Sequence, residues 1–254
     1  VPFTLSHAVA ALPFLRTQLP VAALVIGTMT PDLPYFLPVG IPREFSHSLL
    51  GVITIDLLVG IAVLLAWIFV LRAPLLDYSP AWLRERMPRR VPTRTPKALA
   101  LTLLALIIGS LTHLALDAIT HQGSLDALLP VMATKVGTGI TVANVVHIVI
   151  SLVGAAILAV WVRRWVQRTP RTRTSTLVAD AERGGWWLTL GIAFVLLFLL
   201  IWGYNISLGS HFLEQHALFV SFVAPTGIFG AVAVLICLAW HVRRARRQSR
   251  ELAT

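Results

Sequence analysis

The sequence predicts an all-α protein: a polytopic membrane helix bundle of about five transmembrane helices, with short re-entrant or interfacial helices at its N-terminus. Three observations carry that prediction. The 254-residue chain is 57% hydrophobic and only 13% charged, with mean hydropathy +0.80, which leaves too little polar surface for a water-exposed fold. Five windows reach the roughly 20 apolar residues that a helix needs to cross a bilayer core. The basic residues gather in blocks between alternate windows, as the positive-inside rule requires of cytoplasmic loops.

Taken in order, residues 1–48 form a ligand-bearing segment. Ala8–Pro38 is apolar but broken by Pro13, Pro20, Pro31, Pro34 and Pro38. Its longest clean piece, Val21–Met29, is too short to cross, so it is expected to dip into the membrane or pack against the bundle. Residues 49–162 carry the first three spans, Leu49–Leu71, Ala98–Thr120 and Ile140–Val162. Residues 163–185 form a Thr/Arg-rich linker, expected to be flexible. Residues 186–254 supply Trp186–Leu208, Ala217–Trp240 and a basic tail, completing a single integral membrane domain. The lone Cys237 excludes a disulfide framework or a thiolate metal cluster.

The charge pattern orients the chain. Residues 72–97 hold seven Arg/Lys, residues 163–185 six and the tail after Trp240 five; only Arg16, Arg43 and Lys135 lie elsewhere. With five spans the three blocks share one face, which the rule makes cytoplasmic together with the C-terminus. Residues 1–48, 121–139 and 209–216 then lie on the extracytoplasmic face. A nucleic-acid role for the basic loops is the weaker reading, because the bias obeys topology at every loop.

The chemistry concentrates in "LTHLALDAITHQG", residues 111–123. Residues four apart share a helix face, so His113, Asp117 and His121 form one polar stripe at the outer end of the second span. Ionisable groups within a membrane are costly and by default functional. His7, Asp32 and His47 fall on the same face by the arginine topology. Imidazole and carboxylate without sulfur suit Zn²⁺, with Mn²⁺ or Fe²⁺ as alternatives. Asp32, His47, His113 and Asp117 are grouped on one ion, and His7, Asp117 and His121 on a second, with Asp117 bridging. Two such ions can hold a hydroxide and clamp a phosphoryl group.

The segments "PFTLSHA", "GTMTPDLPYF", "FSHSLLG" and "LTHLALDAITHQG" together resemble a bacterial multi-pass membrane family of unknown function, domain-of-unknown-function 4184. They are also similar to the YdjM-type membrane-bound metal-dependent hydrolases. In ligand order the chain resembles the zinc-dependent phospholipase C and single-strand nuclease superfamily, all-helical phosphoesterases with three zinc ions. That resemblance implies His7, Asp32, His47, His113, Asp117 and His121 as ligands. The interval from Asp117 to His121 is shorter here, Val1 stands where those enzymes place a Trp, and their closing His-x3-Glu pair is missing. His211 and Glu214 in "HFLE" are the nearest substitute.

Further residues fall near this set. His147, one to two turns inside the third span, is a candidate ligand or substrate contact. Asp56, two turns into the first span, points into the bundle either behind a ligating histidine, where a carboxylate fixes the tautomer, or as a structural polar group. The expected function is an integral membrane metal-dependent hydrolase of the bacterial cytoplasmic membrane, with an extracytoplasmic dinuclear site. It would attack a phosphoester of a lipid or lipid-linked substrate through metal-bound hydroxide, with Asp32 and Asp117 as the catalytic carboxylates. Two other readings use the same residues: a metal-ion or proton transporter, and a structural membrane protein whose metal ties the N-terminal segment down.

Overall fold

The computed structural model describes residues 4–36, 40–87, 95–120, 129–137, 140–172, 176–209 and 215–252. Among them, five helices are long and apolar enough to cross a membrane. With the short helices that lead into them, the elements are α1 (Val21–Gly27), α2 (Arg43–Ser46), α3 (Leu49–Tyr78), α4 (Pro96–Thr120), α5 (Val142–Arg168), α6 (Asp180–Ser207) and α7 (Gln215–Glu251). The outward faces of the long helices are apolar. Leu50, Leu58, Leu188, Leu196 and Leu200 are all exposed, an arrangement that water would penalise and lipid accepts. The chain is a multi-pass helical membrane protein.

Helix ends explain where the expected spans shift. Ser48 caps α3 by accepting a hydrogen bond from the Gly51 amide at 2.9 Å. Within α3, Val52–Asp56 and Trp67–Leu71 are π-helical turns, which re-aim the helix face and recur at functional sites. Thr141 and Asn144 form a reciprocal cap that starts α5 two residues later than the apolar pattern suggested. Before it, Lys135–Gly137 pairs with Ile140–Thr141 in a short antiparallel ladder.

The expected flexible linker is mostly built into the bundle. Residues 163–168 continue α5, and 180–185 open α6. Val178 and Arg183 are buried. Arg183 donates from Nε to the Asp77 carbonyl and from Nη2 to the Val178 carbonyl, both at 2.9 Å. The Asp77 carboxylate accepts from Trp240 Nε1 at 2.7 Å and from the Leu177 amide at 3.0 Å. Arg86 Nε donates to the Val166 and Thr169 carbonyls, each at 2.9 Å. These bonds draw the ends of α3, α5 and α7 and the start of α6 together, so the basic blocks meet at one end of the bundle.

The N-terminal segment folds as a hairpin packed against the long helices. Its first arm is a 3-10 helix, Thr4–Phe14, packed along α5, and its second is α1. At about 2.0 Å per residue the first arm runs roughly 20 Å along α5. The turn brings Arg16 beside Trp161, Arg164 and Arg168 at the basic end. Charge counting placed Arg16 with residues 1–48 on the opposite face; the run of the first arm along α5 reverses that position. The return arm α1 packs between α3 and α4, where Ala23, Leu24, Leu64, Ala105 and Leu106 form the buried core. Gly27 and Gly109 let the α1 and α4 backbones touch. A second 3-10 helix, Thr30–Phe36, then carries Asp32 to the end of the bundle away from the three basic blocks.

Candidate metal centre

Four segments deliver the cluster: His7 from the first hairpin arm, Asp32 from Thr30–Phe36, His47 at the end of α2, and His113 with Asp117 one turn apart on α4. His7, Asp32, His113 and Asp117 are all buried, and only 8% of the His47 side chain is exposed. The His7 and His113 rings stack with centroids 4.2 Å apart, and His47 meets His113 edge-on at 5.4 Å.

The two central histidines have their tautomers set by the backbone. His113 Nδ1 lies 2.8 Å from the Thr28 carbonyl oxygen. His47 Nδ1 lies 3.2 Å from the Arg43 carbonyl oxygen and 3.0 Å from Ser46 Oγ, whose own hydrogen goes to that same carbonyl. A carbonyl only accepts, so Nδ1 carries the proton in both rings and Nε2 faces inward. Asp56 was expected to supply such an anchor, but for these two rings a carbonyl does so.

Each Nε2 faces two carboxylates. His47 Nε2 is 3.4 Å from Asp32 Oδ1 and 3.4 Å from Asp117 Oδ2; His113 Nε2 is 3.6 Å and 3.7 Å from the same two atoms. Among the described residues neither Nε2 makes a hydrogen bond. The separations are long for hydrogen bonds. Three of the four fall within the roughly 3.3–3.6 Å between ligand atoms around a tetrahedral ion with 2.0–2.2 Å bonds, and His113–Asp117 is slightly longer. His7 Nε2 approaches the other Asp117 oxygen, Oδ1, at 3.9 Å. Two sets have their ligand atoms mutually close enough to share an ion: Asp32, His47 and His113, and His7, His113 and Asp117. His113 has one free nitrogen, so it can serve only one of them at a time. These buried His/Asp groups can hold a metal ion.

The electrostatics agree with that chemistry. Burial, reinforced by neighbouring His113, lowers the His7 pKa to about 4, so its imidazole is a neutral lone-pair donor at pH 7. Burial works to lower the His47 pKa too, but the Asp117 and Asp32 carboxylates outweigh it and raise the value to about 9. The cluster therefore attracts a positive charge to His47, a proton when no metal competes.

Other expected residues fall around this core. His147 is half-buried and close enough for its charge to bear on His7, but it belongs to neither ligand set. Asp56 is 1% exposed, its two carboxylate oxygens have no hydrogen-bond partner among the described residues, and its charge interacts with His47 and His113. His121, His211 and Glu214 lie outside the described residues.

One residue was missed. Arg43 places Nη2 3.2 Å from Asp117 Oδ2, lies within hydrogen-bonding reach of the Tyr35 hydroxyl, and keeps 40% of its side chain exposed. Burial raises the Tyr35 pKa to about 12, so the phenol keeps its proton. The available signal was Arg43's isolation from the basic blocks, four residues before His47.

Fold and site together define a class: a five-span helical membrane protein with a buried histidine–aspartate cluster suited to a metal ion. A family model described as a domain of unknown function, DUF4184, matches residues 1–245, and the chain belongs to that family. No curated protein and no solved structure matches it.

Proposed function

We propose that the protein is an integral membrane metal-dependent hydrolase that cleaves a phosphoester of a lipid or lipid-linked substrate at a two-metal, zinc-type site. The observation that carries this reading is the pair of inward Nε2 atoms of His47 and His113, each with its Nδ1 committed to a carbonyl and each facing Asp32 and Asp117. Two inward imidazole nitrogens facing two carboxylates draw a cation between them, a metal ion or, when no metal competes, a proton on His47.

In this reading Asp32, His47, His113 and Asp117 hold one ion, and His7 with the second Asp117 oxygen contributes to another. Bound ions of this type lower the pKa of water towards 7 and neutralise charge building on a phosphoryl group. Asp32 accepts a proton from the attacking water, and Asp117 bridges the two halves of the site. Arg43 is the accessible cation beside them and receives a phosphoryl oxygen. The positive-inside rule puts this end of the bundle outside the cytoplasm, where a lipid-linked substrate arrives by lateral diffusion.

Transport by the same residues would need a polar route onward through the bundle. Beyond Asp56 and Ser110, the buried side chains further towards the basic end, Leu24, Leu64, Ala105 and Leu106, are apolar, which favours hydrolysis.

The test is metal content by mass spectrometry on detergent-purified protein, wild type beside Asp117→Ala, followed by a phosphodiesterase and phospholipid substrate screen. About two ions per chain, lost in a variant that keeps its helical circular dichroism, support the site. Wild-type protein that stays metal-free when zinc is supplied without chelator overturns it.

A further inference from the structure

We propose that the turn of the N-terminal hairpin and the end of α5 form a binding site for the phosphate of an anionic phospholipid, separate from the metal centre. A groove of ≈ 560 Å³ lies between them. Arg16 of the hairpin lines one wall, and Arg164 and Arg168 of α5 line the other. Among the described residues none of these three guanidinium groups is paired with a carboxylate or bonded to a carbonyl, whereas Arg86, Arg183 and Arg243 at the same end are.

All three are exposed, so their donors are open to an anion that enters the groove, which each of the three positive charges attracts. Guanidinium groups present planar pairs of donors that fit phosphate oxygens. The rest of the lining suits a lipid rather than a free ion. Trp161 and Trp165 stack with ring planes 13° apart, and indoles of this kind settle at the head-group level of a bilayer. Leu12, Pro13 and Leu15 supply an apolar wall against which glycerol and the first acyl carbons can lie. Basic pockets between helices at the positive end of a bundle bind anionic head groups on the same principle.

The hairpin gives the site a consequence. Its first arm runs from Arg16 directly up to His7, so a lipid held at the turn braces the element that supplies one of the cluster's histidines.

The probe is brominated phosphatidylglycerol against brominated phosphatidylcholine, read by tryptophan quenching of the full chain in phosphatidylcholine nanodiscs. Brominated phosphatidylglycerol is expected to saturate quenching at a several-fold lower mole fraction. Removing arginines one at a time as Arg16→Gln and Arg164→Gln should cut that preference about five-fold each. Trp161→Phe with Trp165→Phe should remove the selectively quenched component. The single variants keep the test usable if Arg16→Gln, Arg164→Gln and Arg168→Gln combined prevents folding. Equal quenching by the two lipids, or a preference that survives in both single variants, overturns the proposal. Abolition of the preference by millimolar inorganic phosphate also overturns it, because the groove would then be a free-anion site.

Discussion

Gly27 and Gly109 meet backbone to backbone where α1 crosses α4. A Cβ on Gly27 would lie 2.3 Å from the Leu106 carbonyl oxygen, and one on Gly109 would lie 2.4 Å from that of Leu24. Ser110 reinforces the crossing by donating from Oγ to the Gly27 carbonyl at 3.2 Å. The next carbonyl along α1, that of Thr28, orients His113, so the contact also sets the metal centre.

Gly27→Ala and Gly109→Ala are each expected to force the helices apart, at about 1–3 kcal/mol. Because the obstructing atoms are backbone, rotamer changes cannot relieve the clash. Both variants should lose bound metal along with thermal stability. Gly191→Ala and Gly203→Ala, where a Cβ meets nothing within 4 Å, are the controls and should match wild type in both. Metal retained at wild-type level in Gly109→Ala would show that the crossing does not position His113.

Arg43→Gln should separate substrate binding from metal binding. The variant loses a cation beside Asp117 but none of the proposed ligands. Metal content should stay near wild type, while KM for a phosphodiester rises about ten- to a hundred-fold, the loss expected for one charged hydrogen bond. A variant that instead sheds its metal would make Arg43 a support for Asp117 rather than a substrate contact.

Ser46→Ala probes the setting of His47. Its hydroxyl lies 3.0 Å from His47 Nδ1, and losing such a partner typically lowers metal affinity about ten-fold or more. The Arg43 carbonyl remains, so the loss should be near the lower figure. Competition with a zinc-selective fluorescent chelator measures it, and an unchanged affinity would assign the tautomer to the carbonyl alone.

Asp56→Leu tests a trade between stability and function. A buried carboxylate lacking hydrogen-bond partners is costly, and an apolar side chain of similar size removes the cost. The variant is expected to gain about 1–3 kcal/mol in thermal unfolding while losing activity. Loss of stability would instead reveal Asp56 as a structural anchor.

The His113–Asp117 pair was legible because the helix period alone aligns it. His7, Asp32 and His47 were legible through topology, since the arginine blocks leave them one face to share. The anchors of His47 and His113 were hidden for a simple reason: every residue has a carbonyl, so no side-chain pattern announces which one will accept from Nδ1. The place of Arg16 was hidden because charge counting assigns a whole segment to one face and cannot see a hairpin that carries Arg16 along α5 to Arg164 and Arg168. Arg43 was visible as an outlying charge, but its direction depends on how α2 packs against α4. The span boundaries depart from the apolar windows where caps such as Thr141, which starts α5 late, and links such as Asp77–Trp240, beyond the end of the first window, act instead of hydropathy.

The N-terminal hairpin also constrains the order of biosynthesis. Asp117 follows Asp32 by 85 residues, about 4–17 s of translation at 5–20 residues per second. Over that interval the polar residues of the hairpin have no α4 to pack against, and its seven-residue second arm is too short for the insertion machinery to accept as a span. The packing partners α4 and α5 follow the hairpin in the chain, so its final contacts form only once they are present. The His/Asp cluster is thus completed only once α4 is present, and a metal ion held by it meets a nearly finished bundle rather than a nascent chain.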